Sequence, residues 1–162
     1  MDQLWSDHFW LTREVVRDAV AQSPCLEVDL NDLLLNQDQL GANFGKIVRS
    51  TEAAEKLAAA LREHINIAVQ IVVAAINQQP IDALYAQWVE NAKEIARIYS
   101  EYSCGAIKYS KILQMMIEHL DTTLAEAVSI ISGDCQESSN KGKIALAHVH
   151  MMSKYLICSL CK

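Results

Sequence analysis

The sequence predicts an all-α protein, an up-and-down antiparallel bundle of about six helices with a four-helix-bundle-like core. Apolar residues make up 51% of the 162 residues and aromatic residues only 6%. The apolar positions recur at three- and four-residue spacing, which is typical of amphipathic helices. Five glycines and two prolines leave few places for the chain to reverse, which favours long helices over many short strands. We expect a single domain, 1–162, large enough to bury a core without disulfide bridges.

The helix boundaries follow from these apolar stripes and from residues that begin or end helices. Ser23 and Pro24 end the first helix and open the second, whereas Gly41 and Gly45 are expected to weaken the end of the second. The polar segment 135–143 is predicted to be a linker. Short connections make consecutive helices antiparallel neighbours. The predicted helices span residues 2–22, 25–44, 51–78, 80–103, 107–132 and 140–160.

The charge and hydropathy of the sequence argue against nucleic acids and membranes as partners. The net charge is −6 and the basic residues are scattered, so neither a nucleic acid nor an acidic membrane surface is expected as a partner. The longest apolar run, residues 65–76, is interrupted by Asn66 and Gln70 and falls short of the roughly 20 residues that cross a bilayer. No secretory signal is visible at the N-terminus. We expect a cytoplasmic protein, with an oligomer possible.

Five cysteines are present, and their odd number suits reduced thiols rather than a disulfide framework. Cys158 and Cys161 form a CxxC, but a zinc ribbon needs a second pair and a thioredoxin-like motif needs a preceding strand. We interpret the two thiols as packed or frayed on a last helical turn.

Polar residues replace apolar ones near the middle of the predicted helices. In an antiparallel bundle, residues near the helix midpoints share one layer whatever the direction of the chain. The polar residues are therefore predicted to converge, and His150, two positions after His148, is expected to face solvent. The residues of this polar layer are His8, Asn36, Gln37, His64, Asn91, His119 and His148.

Two interpretations of the layer remain open. Histidine, asparagine and glutamine can pair with one another and fix the register of the helices. Alternatively, His8, His64, His119 and His148 bind a transition metal, since neutral imidazole suits Zn, Fe, Cu or Ni and bundle cores often hold such ions. Asn36, Gln37 and Asn91 then orient the ligands or bind a small molecule. A haem held by two of the histidines is a further variant.

The motifs of several other chemistries are missing from the sequence. The Glu-x-x-His spacing of di-iron bundles does not occur, and Glu63 and Glu118 directly precede histidines, so that each pair points about 100° apart on its helix. No Walker loop, dinucleotide-binding glycine motif or nucleophile elbow is found. Cys104 has no base placed beside it. No internal repeat is evident and no reaction is predicted.

The order and spacing of several motifs resemble a family of small, uncharacterised, all-helical proteins found mostly in bacteria. The resemblance covers nearly the whole chain and implies a helical bundle, without an established activity, although members often carry enzyme names. The family pattern after the last histidine is H-x-x-x-M-A-D, whereas Met152 is followed here by Ser153 and Lys154, so an acidic candidate ligand is missing. The motifs are Asp7-His8…Trp10-Leu11-Thr12-Arg13, Leu34-Leu35-Asn36-Gln37…Leu40-Gly41, Glu63-His64-Ile65…Ala68, Trp88…Asn91-Ala92, His119-Leu120…Thr122-Thr123 and His148…Met152.

We therefore expect a metal-binding or small-ligand-binding helical bundle with a buried His/Asn/Gln layer. The alternative is a non-catalytic structural or protein-interaction bundle, in which the layer only sets the register of the helices.

Overall fold

Six α-helices and no strand make up residues 1–160, the part of the chain that the computed structural model describes. The predicted all-α bundle is confirmed. The helices are α1 (Asp2–Ala21), α2 (Leu26–Val48), α3 (Thr51–Ile76), α4 (Asp82–Tyr102), α5 (Tyr109–Ile131) and α6 (Cys135–Leu160).

The six helices close into a ring. Each helix packs against the next one in the chain, and α6 packs back against α1. Neighbours run antiparallel: on the α2–α3 pair, Asp38 bonds to Arg62 whereas Gly45, further along α2, faces Ala54 earlier on α3. The alternation of direction leaves α1, α3 and α5 parallel to one another. These three also contact each other directly, so they form the inner part of the bundle and α2, α4 and α6 flank them.

The core is built by the apolar stripes that predict the helices. Burying each large aliphatic or aromatic side chain contributes roughly 1.5–3 kcal/mol relative to exposure. Smaller apolar clusters lie at the end of the bundle beyond the polar layer, one of them around Val15, Leu33 and Ile65. The largest fully buried side chains include Trp5, Leu40, Phe44, Leu57, Ile95, Tyr99, Ile112 and Met115.

The prediction for the glycines of α2 is wrong. Gly41 and Gly45 lie inside the helix, which continues to Val48, and both are buried against α3. A Cβ at Gly41 would lie 2.7 Å from the Ala54 carbonyl oxygen and 2.7 Å from the Ala58 Cβ. The glycines therefore bring two backbones together rather than ending a helix, which outweighs their low helix propensity.

The predicted linker over residues 135–143 is also wrong. These residues form the first turns of α6, whose start is capped by Asp134, since its Oδ1 accepts the Glu137 N–H at 2.9 Å. Ser138 and Gly142 are buried on its inner face. They face the ion pair of Arg13 and Glu126 instead of apolar side chains. This part of α6 therefore lacks the stripe of apolar residues that predicts a helix.

The cysteines that the structure describes, Cys25, Cys104, Cys135 and Cys158, are free and exposed. Cys161, the other half of the CxxC, lies outside the described residues. Helix α3 is long and apolar enough, by length and composition, to cross a membrane. Part of its apolar surface, including Leu57, Leu61 and Ile71, is buried in the bundle.

The close approach of α2 to α3 is tested by Gly41→Ala. We expect the free energy of unfolding to fall by about 1–2 kcal/mol, because overpacking costs about 1–3 kcal/mol and exceeds the gain of up to about 1 kcal/mol in helix propensity. Urea denaturation measures the change. Lys46→Ala, at an exposed position of the same helix, is the control and should change stability by less than about 0.5 kcal/mol. An equal or higher stability of Gly41→Ala would contradict the packing described.

Candidate functional site

Four buried imidazoles lie close together near the middle of the bundle. His119 on α5 lies at the centre of the four. Its ring centroid is 5.6 Å from that of His8, 5.9 Å from that of His64 and 6.4 Å from that of His148. All four side chains are buried, with exposures of 7% or less. His150, in contrast, is exposed beside Asp2. The structure thus brings together the four histidines that the sequence places in one layer.

The layer has an internal repeat that the sequence does not reveal. The bundle consists of three helical hairpins, α1–α2, α3–α4 and α5–α6. Each hairpin carries one histidine on its inner helix: His8 on α1, His64 on α3 and His119 on α5. In each hairpin, a polar side chain of the outer helix donates to the backbone carbonyl four residues before that histidine. The three bonds are Asn36 Nδ2 to Leu4 O (3.0 Å), Asn91 Nδ2 to Ala60 O (3.0 Å) and His148 Nε2 to Met115 O (2.8 Å).

The neighbours of His64 fix its tautomer. Because Asn91 Nδ2 donates to a carbonyl, Asn91 Oδ1 must be the atom that faces His64 Nδ1, at 2.8 Å. A carbonyl oxygen only accepts, so Nδ1 of His64 carries the proton and donates. Its Nε2 then has a free lone pair, and this buried atom has no hydrogen-bond partner within residues 1–160. His64 also packs against Trp88, whose ring centroid lies 5.0 Å away.

His8 has the opposite tautomer. The Gln37 amide nitrogen lies 2.8 Å from the Leu33 carbonyl oxygen and 3.1 Å from Asn36 Oδ1, which orients that amide. The same nitrogen lies 3.1 Å from His8 Nδ1, so its two hydrogens are shared among three acceptors. Because an amide nitrogen cannot accept, Nδ1 is the unprotonated atom and the proton of His8 sits on Nε2. Gln37 Oε1 is buried without a partner. The layer therefore contains two buried acceptors that lack donors, Gln37 Oε1 and His64 Nε2.

His119 and His148 have looser polar contacts. His119 Nδ1 lies 3.5 Å from the Thr123 hydroxyl, at the limit of a hydrogen bond. His148 donates through Nε2 to a carbonyl, which leaves Nδ1 as its second polar atom, 3.7 Å from a carboxylate oxygen of Glu118. Glu118 is 43% exposed, so His148 lies between His119 and a carboxylate at the surface of the protein.

Burial keeps the inner histidines neutral, because a low-dielectric interior disfavours the charged form. It lowers the pKa of His8 to about 3, with a smaller contribution from His64. It lowers the pKa of His64 to about 4, although the Asn91 hydrogen bond acts in the opposite direction. The pKa of His119 falls well below its ordinary value, first through burial and then through the three neighbouring imidazoles.

A small cavity of about 20 Å³ adjoins the layer, roughly the room that one water molecule needs. His8 and His119 line it on one side, and the buried ion pair of Arg13 and Glu126 lines it on another. Burial raises the pKa of Glu126, although Arg13 and Arg17 act to lower it.

Sequence reasoning missed the Arg13–Glu126 pair. A signal was present, because Glu126 lies seven residues after His119 and therefore on the same face of α5. Gly142 on α6 leaves the space for the pair, since a Cβ there would lie 2.0 Å from Arg13 Nη1.

The four imidazoles are not arranged as a preformed metal site. Within residues 1–160, no group of three or more histidine, cysteine, aspartate or glutamate side chains is placed to hold a metal ion. Two imidazoles that share a tetrahedral ion through bonds of about 2.1 Å have ring centroids about 5 Å apart. The rings around His119 are wider apart than this and would have to move inward.

The fold and the site together define a six-helix bundle with four buried histidines, two of which, His8 and His64, contact side-chain amides. Comparison of the chain with protein-family models, curated proteins and solved structures found no match. Lys154, at the position where the sequence departs from the H-x-x-x-M-A-D pattern, is exposed. The residue at this position therefore faces solvent and not the histidine layer.

The buried histidines predict a pH dependence of stability. The folded-state pKa values of His8, His64 and His119 lie below the unfolded value of about 6.5, so the unfolded chain binds more protons as the pH falls. Their full contribution to stability is present above pH 6.5 and is lost as the pH falls towards about 4 for His64 and about 3 for His8. Replacing His64 with Asn should make the free energy of unfolding less steep over this range, by up to about 1.4 kcal/mol per pH unit.

Urea denaturation between pH 7 and pH 4 measures these slopes. His150→Asn, which removes an exposed histidine, is the matched control and should keep the wild-type slope. A wild-type stability that does not change between pH 6.5 and pH 4.5 would show that the layer is open to solvent.

Proposed function

We propose that this protein binds one transition-metal ion in the histidine layer, with His64 and His119 as the principal ligands and His8 and His148 beside them. The observation that carries the proposal is the buried Nε2 atom of His64, which has no partner. Leaving a buried acceptor unpaired costs about 1–3 kcal/mol. A ligand that accepts the lone pair would recover this energy.

The contact between His64 and Asn91 supports the same proposal. Metal-binding histidines almost always donate their second ring N–H to a carbonyl or carboxylate, which orients the ring and strengthens the ligand. Asn91 Oδ1 accepts the Nδ1–H of His64 in this way. The amide of Asn91 is held in turn by the Ala60 carbonyl, so the lone pair has a fixed direction before any ion binds.

Electrostatics supports a soft or borderline ion bound by neutral nitrogen. The inner imidazoles have lowered pKa values, so protons do not compete for them near neutral pH. Zn, Fe, Cu and Ni all accept imidazole ligands. Burying a divalent charge requires compensation, and the nearest carboxylates are Glu126 beside the small cavity and Glu118 beside His148.

Metal binding needs a contraction of the layer. The rings of His8 and His64 would each move towards His119 by about 0.5–1 Å to reach the separation of about 5 Å in a tetrahedral site. The stacked rings of His64 and His119 would also have to turn, so that both lone pairs point at one ion. The small cavity beside His119 would leave room for one further small ligand. The Nε2–H of His8 makes that residue a donor to such a ligand, unless the Gln37 amide rotates.

The alternative is a structural layer without a metal ion. Its support is the set of three repeated hydrogen bonds from α2, α4 and α6 to the inner helices. Such bonds fix the register of the helices on their own, as buried polar residues do in coiled coils. The two proposals differ in metal content and in the effect of metal on stability.

The direct test measures metal in untagged protein that is purified without chelator and then exposed to Zn²⁺, Ni²⁺, Cu²⁺ or Fe²⁺ in turn. We expect about one ion per chain by elemental analysis, and loss of that ion in the His64→Ala, His119→Ala double variant. His150→Ala is the control and should retain the ion. Sub-stoichiometric metal in the wild type, or equal metal in all three proteins, would leave the structural layer as the better account.

The role of Asn91 is tested separately. Asn91→Ala removes the acceptor that orients His64, and we expect the affinity for the ion to fall about 10- to 100-fold. Competition with a chelator of known affinity gives the ratio. Asn66→Ala, at an exposed position of α3, is the control. Equal affinity in Asn91→Ala and the wild type would show that Asn91 does not orient a metal ligand.

A further inference from the structure

A cleft of about 220 Å³ lies on the outside of the bundle between α1 and α6. Its wall carries three basic side chains, Arg13, Arg17 and Lys143, and no acidic residue. Phe9, Trp10 and Leu146 give it an apolar part. Such a convergence of cations is unexpected in a chain with a net charge of −6.

Two of these cations form no salt bridge within the described residues. Arg17 and Lys143 are exposed and make no salt bridge to a residue in 1–160. Arg13, in contrast, is held by Glu126 and donates to the Ser138 hydroxyl at 3.2 Å. The cleft lining therefore carries more positive than negative charge, although Arg17 also acts on Glu126 through its charge.

Trp10 lies between two clefts of opposite charge, a basic one on the α6 side and an acidic one on the α2 side. The cleft on its other side, between α1 and α2, is lined by Asp7 and Asp32 and by no basic residue of the described part of the chain. Trp10 itself is 52% exposed, a large aromatic surface that the bundle does not cover. An organic anion would be repelled from the acidic cleft and attracted to the basic one, because clefts lined by one sign of charge focus the field.

We propose that the cleft between α1 and α6 binds a small organic carboxylate, whose charged group contacts Arg17 and Lys143 and whose apolar body lies against Trp10. The volume suits a molecule of this size, since a cavity of about 150 Å³ accommodates benzene. The guanidinium of Arg17 offers a planar pair of donors that matches a carboxylate. The flat face of an indole suits an aromatic or aliphatic body.

The cleft is separate from the histidine layer but shares a wall with it. Phe9 and Arg13 line both this cleft and the small cavity beside His8 and His119. The buried Arg13–Glu126 pair stands between the two spaces, and Gly142 keeps room for the Arg13 guanidinium. A carboxylate in the cleft would compete with Glu126 for Arg13. The proposal goes beyond metal binding and requires no ion in the layer.

The emission of Trp10 offers a local readout. Trp5 and Trp88 are 1% and 2% exposed, so quenching by acrylamide acts mainly on Trp10. The experiment titrates metal-free protein with benzoate, indoleacetate and hexanoate, and with benzamide as the neutral counterpart of benzoate. Because indoleacetate itself fluoresces, its binding and that of the other probes are also followed by NMR shifts of backbone amides in α1 and α6.

We expect saturable binding of at least one carboxylate, protection of Trp10 from quenching, and binding of benzamide at least tenfold weaker than that of benzoate. The Arg17→Gln, Lys143→Gln double variant should bind at least tenfold more weakly than the wild type. Lys111→Gln, Lys154→Gln is the matched control, because it makes the same change of net charge at exposed positions away from the cleft and should bind like the wild type.

Three results would overturn the proposal: no saturable binding of any of the three carboxylates, equal binding of benzoate and benzamide, or equal losses in the two double variants. Because the protein is free of metal throughout, none of these results bears on the ion proposed for the histidine layer. Both double variants change exposed side chains, so a failure to fold is not expected to obscure the comparison.

Discussion

The bundle depends on one repeated interaction, in which an outer helix donates a side-chain hydrogen bond to the carbonyl four residues before an inner histidine. It joins Asn36 to Leu4, Asn91 to Ala60 and His148 to Met115. A buried polar group without a partner is costly, so a shift of one helix along its neighbour would break bonds that nothing replaces. The three bonds therefore fix the register of each hairpin and place the histidines at one level.

The same arrangement controls the chemistry of the imidazoles. The amides of the outer helices stabilise opposite tautomers of His64 and His8, because Asn91 accepts from His64 whereas Gln37 donates to His8. The layer is therefore asymmetric, with a free lone pair on His64 and an N–H on the far side of His8. The third hairpin differs again, since His148 takes the place of an amide and lies near Glu118. A repeated scaffold thus carries three different polar environments around His119.

Much of the fold and part of the site could be predicted from the sequence. Helix midpoints locate the layer well, because His64, Asn91, His119 and His148 each lie within one residue of the middle of their helix. The glycines of α2 and the start of α6 were misread, since close backbone contact and a buried ion pair both replace the apolar stripe that marks a helix. Tautomers could not be predicted at all, because they depend on which carbonyl orients Asn91 and Gln37. The three-hairpin repeat was missed for a related reason: its third donor is His148 instead of an asparagine, and its acceptors are backbone carbonyls that no side chain marks.

The central claim is that His64 is a neutral imidazole with a proton on Nδ1 and an open, buried Nε2. Long-range ¹H–¹⁵N spectra of histidine-labelled protein at pH 7 measure this directly. We expect an unprotonated Nε2 for His64 in the metal-free protein, the opposite tautomer for His8, and a marked shift of the His64 Nε2 signal when Zn²⁺ is added. A protonated Nε2 on His64, or spectra of all four buried histidines that Zn²⁺ leaves unchanged, would contradict it.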